Sequence, residues 1–293
     1  MRKNAFLYEI RTGLGADCPI DCDAHEINNR LKNCTPIVAD IADFTSHMLS
    51  FVRDLKPKLH IHQKWIEEIN ALKNAWKDTD ELKNIKGINP NVFMHALSRQ
   101  SQAAAGYVVD VGNHQMWAAQ SLEIAKHQFF MTSGGMGAMG FSLPAAIGAS
   151  LAHNKQSLVV IAGDGSFQLN IQEMQTIVRN KIPLKIVVVN NNSLGMIRQF
   201  QDNYFDSKYQ STYWGYSAPN FELIAEAYGI TSKTISSPSA LEEGVAWLWQ
   251  KKDEASLLQV MVDLHVNAYP KIAFGKPMTE MEPFVSPIAM EGT

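Results

Sequence analysis

The sequence predicts an α/β fold, a parallel sheet covered by helices on both faces. Three observations predict it. From Pro90 onward, short apolar, β-branched runs alternate with segments of helical pattern. Those runs are apolar at successive residues, as strands buried on both faces are. A chain of 293 residues that is 46% hydrophobic and 19% charged also has enough apolar mass for a large core without staples.

The elements follow in order. Residues 1–52 form a first part, with an apolar strand signal at Pro36-Ile37-Val38-Ala39-Asp40. Residues 53–88 are lysine-rich and carry Leu59, Ile61, Trp65, Ile66, Ile69 and Leu72 at helical spacing. They predict a linker helix with a solvated polar face. Residues 89–293 form the third part. Within it, helices are expected at 91–99, 143–153, 171–179, 221–228 and 240–250, and buried strands at 107–111, 158–162, 184–189 and 257–263. Residues 129–133 read as a poor strand.

Composition excludes several classes. A net charge of -3 argues against a general nucleic-acid scaffold. No apolar run approaches the roughly 18 residues of a membrane span. Glu9 and Arg11 interrupt the N-terminal apolar stretch, so no secretory leader is expected there and the cytoplasm is the expected location. The three cysteines, Cys18, Cys22 and Cys34, are an odd set for a disulfide framework. With His25 they could be drawn as a zinc site, but the spacing is not that of a finger or ribbon, and reduced thiols are expected.

In parallel α/β folds, ligands sit outside the carboxyl ends of the strands. The loops there are Gly112-Asn113-His114-Gln115, Gly163-Asp164-Gly165-Ser166 and Asn190-Asn191-Asn192-Ser193-Leu194-Gly195. Asp164, between two glycines, lies on a turn that lets a ligand approach the backbone. Gly165 and Ser166 open the next helix, whose free N–H groups can receive phosphate oxygens. A carboxylate facing a phosphate repels it, and a hard divalent cation between them removes the conflict. The Asn191 amide oxygen and a following main-chain carbonyl are suitable neutral ligands. Taken singly, each loop reads as turn chemistry. Taken together after successive strands, they predict a cation-bridged phosphate site.

Gly163-Asp164-Gly165, a gap of 24 residues and Asn190-Asn191 resemble the fingerprint of thiamine-diphosphate enzymes. Residues 110–120 (DVGNHQMWAAQ), 133–148 (SGGMGAMGFSLPAAIG), 163–173 (GDGSFQLNIQE) and 190–196 (NNNSLGM) look like the acetolactate-synthase-like branch. The resemblance spans about residues 90–275. It implies a Rossmann-like three-layer sandwich and two cofactors, thiamine diphosphate and Mg2+. By the same resemblance, Asp164, Asn191 and the Ser193 main-chain oxygen bind Mg2+. Gly112, Asn113, His114, Gly165, Ser166 and Leu194 surround the diphosphate, with Gly163, Gly195 and Met196 completing the cofactor site. Met139 is the wedge that bends the cofactor, a task suited to a polarizable side chain. The Gly137 carbonyl accepts from the aminopyrimidine. Met196 and Phe200 line the substrate pocket. Phe200 stands where the family usually carries Trp, and Asn113 where it usually carries Gln.

The resemblance also implies a 2-oxo acid as substrate, decarboxylation or carboligation as the reaction, and a homo-oligomer. The family's activating glutamate lies in a pyrimidine-binding domain to which no part of this sequence corresponds. Residues 20–42 resemble the end of the family's middle domain, and the tail from Tyr269 through Pro283 resembles the family's end. The expectation is therefore the C-terminal portion of such an enzyme, as a fragment, split subunit or truncated product. The alternative is a cofactor-binding module that needs a separate pyrimidine-domain chain. A nicotinamide-binding domain is a poor third reading. Gly135-Met136-Gly137-Ala138-Met139-Gly140 has the letter spacing of such a motif, without a convincing strand before it.

Overall fold

Side chains alternate across a strand, and the alternation sorts this protein into layers. The sheet has six strands: β1 (Gly106–Val109), β2 (Phe129–Thr132), β3 (Val159–Gly163), β4 (Lys185–Asn190), β5 (Thr231–Ile235) and β6 (Ser256–Met261). All are parallel, in the order β2-β1-β3-β4-β6-β5. The computed structural model describes residues 19–27, 35–55, 63–75, 77–80, 82, 85–272 and 281–282.

Among the described residues, the longer helices around the sheet are α1 (Pro90–Gln100), α2 (Asn113–Ser121), α3 (Ser142–Ala152), α4 (Met174–Asn180), α5 (Gly195–Tyr204), α6 (Phe221–Ala227) and α7 (Leu241–Leu248). Tyr107, Val109, Val159, Ile161, Val187, Val189, Leu258 and Val260 pack with Phe93, Met94 and Leu97 of α1, Trp117 of α2, and Val245 and Leu248 of α7. Their neighbours Val108, Val160, Ala162, Ile186, Val188 and Leu257 pack with Leu143 and Ala146 of α3, Met174 and Ile177 of α4, and Phe221 and Ala225 of α6. Both faces are thus covered, which is why the strands read as continuous apolar runs. Helix starts are fixed locally. Pro90 opens α1, and the Asn89 side chain accepts from the Asn91 and Val92 amides at 2.9 and 3.2 Å. Asn220 caps α6 in the same way.

The expected strands and helices are present, with shifted ends. The 171–179 helix begins at Met174, because residues Gln168–Glu173 form a 3-10 segment broken at Asn170. One expectation is overturned. Phe129–Thr132 is a full strand, paired along its length with β1. It is an edge strand with one side unpaired and its side chains half-exposed, so it lacks the apolar run of a central strand.

The sheet lies in the compact unit Lys77–Tyr269. The other unit, Met1–Trp76 with Pro270–Thr293, contains the helices Ile41–Leu55 and Gln63–Ala75, a parallel pair between Ile20–Asp21 and Ile37–Val38, and an antiparallel pair between Lys271–Ile272 and Met281–Glu282. Cys18, Cys34 and most of the tail from 273 onward lie outside the described residues, whereas Cys22 and His25 are exposed. Among the described residues no helix is long and apolar enough to cross a membrane.

Topology selects one crevice. The chain leaves β1 toward β2 on one side and leaves β3 toward β4 on the other. Adjacent strands whose connections diverge open a cleft at their carboxyl ends.

At the opposite end, Lys185 begins β4 fully buried. Its Nζ donates to the Lys251 and Glu254 carbonyls, both at 2.6 Å, and burial pushes its pKa down to about 8. The unfolded lysine titrates near 10.5. The cost of the buried charge is therefore fully present below pH 8 and is relieved as pH rises toward 10.5. Urea unfolding of wild type and Lys185→Met at pH 7.5 and 9.5 tests this. The wild type should gain on the variant by about 2 kcal/mol at the higher pH.

Candidate cofactor site

Three loops at the carboxyl ends of β1, β3 and β4 converge on a cavity of about 250 Å³. The site begins with Asp110, buried at the end of β1. Its Oδ1 accepts from the Val111 and Gly140 amides, both at 2.9 Å, and its Oδ2 accepts from the Ser142 amide at 2.7 Å. One carboxylate thus ties the end of β1 to the glycine-rich segment before α3. That segment carries Gly137 and Met139, both at the cavity wall. Sequence reasoning did not single out Asp110; an acid closing an apolar strand was its signal.

After β3, Asp164 opens a single helical turn, Asp164–Phe167. Ser166 Oγ accepts from the Gly163 amide at 3.1 Å and donates to the Gly163 carbonyl at 3.2 Å, tightening the turn. After β4, the Ser193 amide is shared at 3.2 Å between Asp164 Oδ2 and Asn191 Oδ1. A single N–H therefore holds the carboxylate and the amide oxygen side by side. The Thr212 carbonyl accepts from Ser193 Oγ at 2.8 Å and from the Leu194 amide at 3.1 Å. Tyr216 Oη donates to Asp164 Oδ2 at 3.0 Å. Thr212 and Tyr216 sit on a loop the sequence left unread.

Gly112, Asn113, His114, Gly137, Met139, Gly163, Asp164, Gly165, Ser166, Asn191, Ser193, Leu194, Gly195 and Met196 all line this one cavity, with Val111, Trp117, Val189 and Ile197. Phe200 is not in the lining. It lies further along α5, its ring 4.6 Å from Tyr204 and 5.9 Å from Phe205 between centroids.

Two features mark the cavity as a place for a ligand. Asn113 Nδ2 and Oδ1 and His114 Nε2 are buried without a protein partner among the described residues. Buried polar atoms of this kind are costly unless something pairs with them. The floor is also bare where it must be. A Cβ on Gly165 would lie 2.4 Å from Leu194 Cδ2, and one on Gly163 would lie 2.7 Å from His114 Nδ1. The N-termini of α2 and α5 open on the cavity through Gly112-Asn113 and Leu194-Gly195, where the Leu194 and Gly195 amides already donate to the Thr212 and Ser193 carbonyls.

The electrostatics favour a cation. Asp164 is 2% exposed, and burial pushes its pKa up to about 6 against hydrogen bonds from Tyr216 and from main-chain amides. Burial, then the Asp164 charge, holds the Tyr216 phenol well above its usual range, so it stays a donor. Burial pushes His114 down to about 4 against the charge of Asp110, leaving the imidazole neutral at pH 7. Among the described residues no group of three or more His, Cys, Asp or Glu side chains could hold a metal ion. A cation here would instead draw on one carboxylate and on neutral oxygens.

Residues 110–260 match the family "Thiamine pyrophosphate enzyme, C-terminal TPP binding domain". The chain belongs to that family. The chain is also similar to acetolactate synthase large subunits. It is 34% identical to that of Porphyra purpurea over 265 residues, covering 89% of this chain and 44% of the relative. It is 34% identical to that of Lactococcus lactis over 262 residues, with the same coverage. With the isozyme 2 large subunit of Escherichia coli it shares 38% over 190 residues, 65% of this chain and 34% of that one. The chain thus spans less than half the length of these relatives. For this thiamine-pyrophosphate-family chain, the match starts at Asp110 and ends in β6, so it encloses all three loops. Membership of that family also removes the nicotinamide reading, whose glycine run does follow a strand, β2.

The buried Asp164 charge has a measurable consequence. Its folded pKa of about 6 exceeds the ordinary 3.8, so ionisation costs stability fully above pH 6 and not at all below 3.8. In chelator, Asp164→Asn should be more stable than wild type by about 1–2 kcal/mol at pH 7.5. The gap should close as pH falls from 6 to 4, which urea titrations at three pH values would follow.

Proposed function

We propose that this chain binds thiamine diphosphate together with Mg2+ and works as the diphosphate-binding part of a 2-oxo-acid decarboxylase or carboligase of acetolactate-synthase type. The observation that carries this reading is the shared Ser193 amide, which sets the Asp164 and Asn191 oxygens together beside a cavity with unpaired Asn113 and His114 atoms. Asp164, Asn191 and the Ser193 main-chain oxygen hold the cation. Asn113, His114 and the amides at the starts of α2 and α5 take the diphosphate oxygens. When bound, thiamine diphosphate supplies the carbon nucleophile and electron sink that decarboxylation of a 2-oxo acid needs.

The chain's own residues bind, orient and exclude water. Met139, whose Cε reaches to 3.5 Å from where a Gly165 Cβ would stand, is an apolar wedge against the cofactor. Gly137, held at φ +67, directs its carbonyl to the pyrimidine. Val111, Trp117 and Val189 dry the wall behind the diphosphate. Met196 and Phe200 lie one turn apart on α5 and shape the approach of the acceptor, with a phenyl ring replacing the family's usual indole.

Proton transfer at the pyrimidine requires an acid, and the resemblance assigns it to a pyrimidine-binding domain, on another chain or another segment. Met136, 89% exposed, and the exposed Ile197, Phe205 and Trp214 are surface that such a domain would cover in a homo-oligomer. A transferase or lyase in the cytoplasm fits this reading. The alternative, a binding module with no turnover of its own, differs only in what the chain does alone.

Two measurements test the proposal. Calorimetry should find thiamine diphosphate binding that depends on Mg2+ and that weakens at least 10-fold in Asn191→Ala, the loss expected for a removed metal ligand or its support. Equal affinities in wild type and variant would overturn the assignment. Carbon dioxide release from pyruvate and other 2-oxo acids, with both cofactors saturating, should be on the order of 10²-fold slower for the chain alone than with a pyrimidine-binding domain supplied. Undiminished turnover by the chain alone would remove the second domain from the mechanism.

A further inference from the structure

The loop after α5 closes on the candidate cation site at two points. Its Thr212 carbonyl takes the Ser193 hydroxyl and the Leu194 amide, and its Tyr216 hydroxyl reaches Asp164 Oδ2. Gln168, on the 3-10 segment after the Asp164 turn, donates to Tyr216 Oη at 3.4 Å and to the Asp164 carbonyl at 3.1 Å. A Cβ on Gly165 would lie 3.4 Å from Tyr216 Oη, so the phenol also lies close above the glycine beside Asp164.

The loop is built to stay in this position. Asp206, Ser207 and Ser211 hold left-handed backbone conformations at φ 50, 56 and 61. Such residues persist only where surrounding contacts fix them. Those contacts exist. Tyr209 Oη and Ser207 Oγ donate to Asp202 Oδ1, and Thr212 Oγ1 donates to Gln201 Oε1, anchoring the loop to α5.

We infer that Tyr216 is a positioning residue for the cation site, fixing Asp164 so that Oδ2 is committed to protein donors while Oδ1 keeps its lone pairs for a divalent cation. Two donors, Tyr216 Oη and the Ser193 amide, meet on Oδ2, and the Gly165 and Asp164 amides also lie close to the carboxylate. Two fixed donors on one oxygen set the plane of the carboxylate before any cation arrives. Outer partners that orient metal ligands in this way are worth 10- to 100-fold in metal affinity. The inference rests on the cation-binding reading of the preceding section.

The experiment is Mg2+ titration into the full chain with thiamine diphosphate saturating, followed by calorimetry. Tyr216→Phe, which deletes one hydroxyl, should weaken Mg2+ about 10-fold. Tyr213→Phe, which deletes a hydroxyl from an exposed residue of the same loop, should leave Mg2+ affinity within about 2-fold of wild type. Unchanged affinity in Tyr216→Phe, even with a lowered melting temperature, overturns the inference, because the hydroxyl then only props the loop. Tighter Mg2+ binding in Tyr216→Phe also overturns it, since the phenol would be competing for the cation's place. Equal weakening in both variants overturns it too, by assigning the effect to the loop rather than the hydroxyl. A wild type that ignores Mg2+ would instead sink the cation-binding reading itself, leaving the two failures distinguishable.

Discussion

Asp164 brings a carboxylate into a place where water touches 2% of it, and its neighbourhood is organised around that cost. Three kinds of support reach it from three parts of the chain: its own turn, tightened by Ser166; the Ser193 amide from the loop after β4; and the Tyr216 hydroxyl from the loop after α5. These donors lower the cost without removing it, since burial still wins and the pKa stays raised. On the proposed reading, that incompletely compensated charge is the place an opposite one takes. The proposed cation is that opposite charge.

Such an arrangement needs a rigid frame, and the fold supplies one. The loops after β1, β3 and β4 hang from adjacent central strands with apolar side chains packed on both faces. The two helices that open on the cavity are further joined at their far side by residues 267–269. Gln199 of α5 exchanges two hydrogen bonds with Ala268, Arg198 holds the Asn267 side chain, and from α2 Trp117 and Gln120 donate to the Asn267 and Tyr269 carbonyls. The starts of α2 and α5 therefore cannot shift independently. This matters because their first amides and side chains are the diphosphate donors of the proposed site.

The central strands were legible in the sequence because burial on both faces leaves an unbroken apolar run, as at Val159–Gly163 and Lys185–Asn190. The edge strands were not. Thr231–Ile235 is mostly polar and Phe129–Thr132 half-exposed, since an edge strand has fewer neighbours to satisfy. The loop residues that line the cavity could be named because glycine, Asp and Asn after apolar strands have few structural uses in such numbers. Asp110, Thr212 and Tyr216 escaped for a different reason. Asp110 acts through main-chain amides 30 and 32 residues away, and Thr212 acts through its carbonyl, which any residue possesses. Tyr216 lies 52 residues from Asp164, and no local pattern announces a contact that only the folded loop creates.

The charge inventory of the cavity carries the reading one step further. Its lining contains no lysine or arginine, and its one histidine is held neutral by burial. A diphosphate entering this cavity meets partial charges only, those of amides and helix N-termini, along with one full negative charge on Asp164. Helix termini are worth about 0.3–2 kcal/mol each toward an anion, less than the repulsion of a carboxylate at close range in a low-dielectric wall. Among the described lining residues nothing else carries a full positive charge, so the proposed cation would supply it. On the proposed reading, diphosphate and cation must stabilise each other's binding by the same free energy, since the coupling is reciprocal. A lysine-lined site would have bound phosphate alone. On the proposed reading, a lining without one makes the metal a condition of cofactor binding rather than an accessory to it.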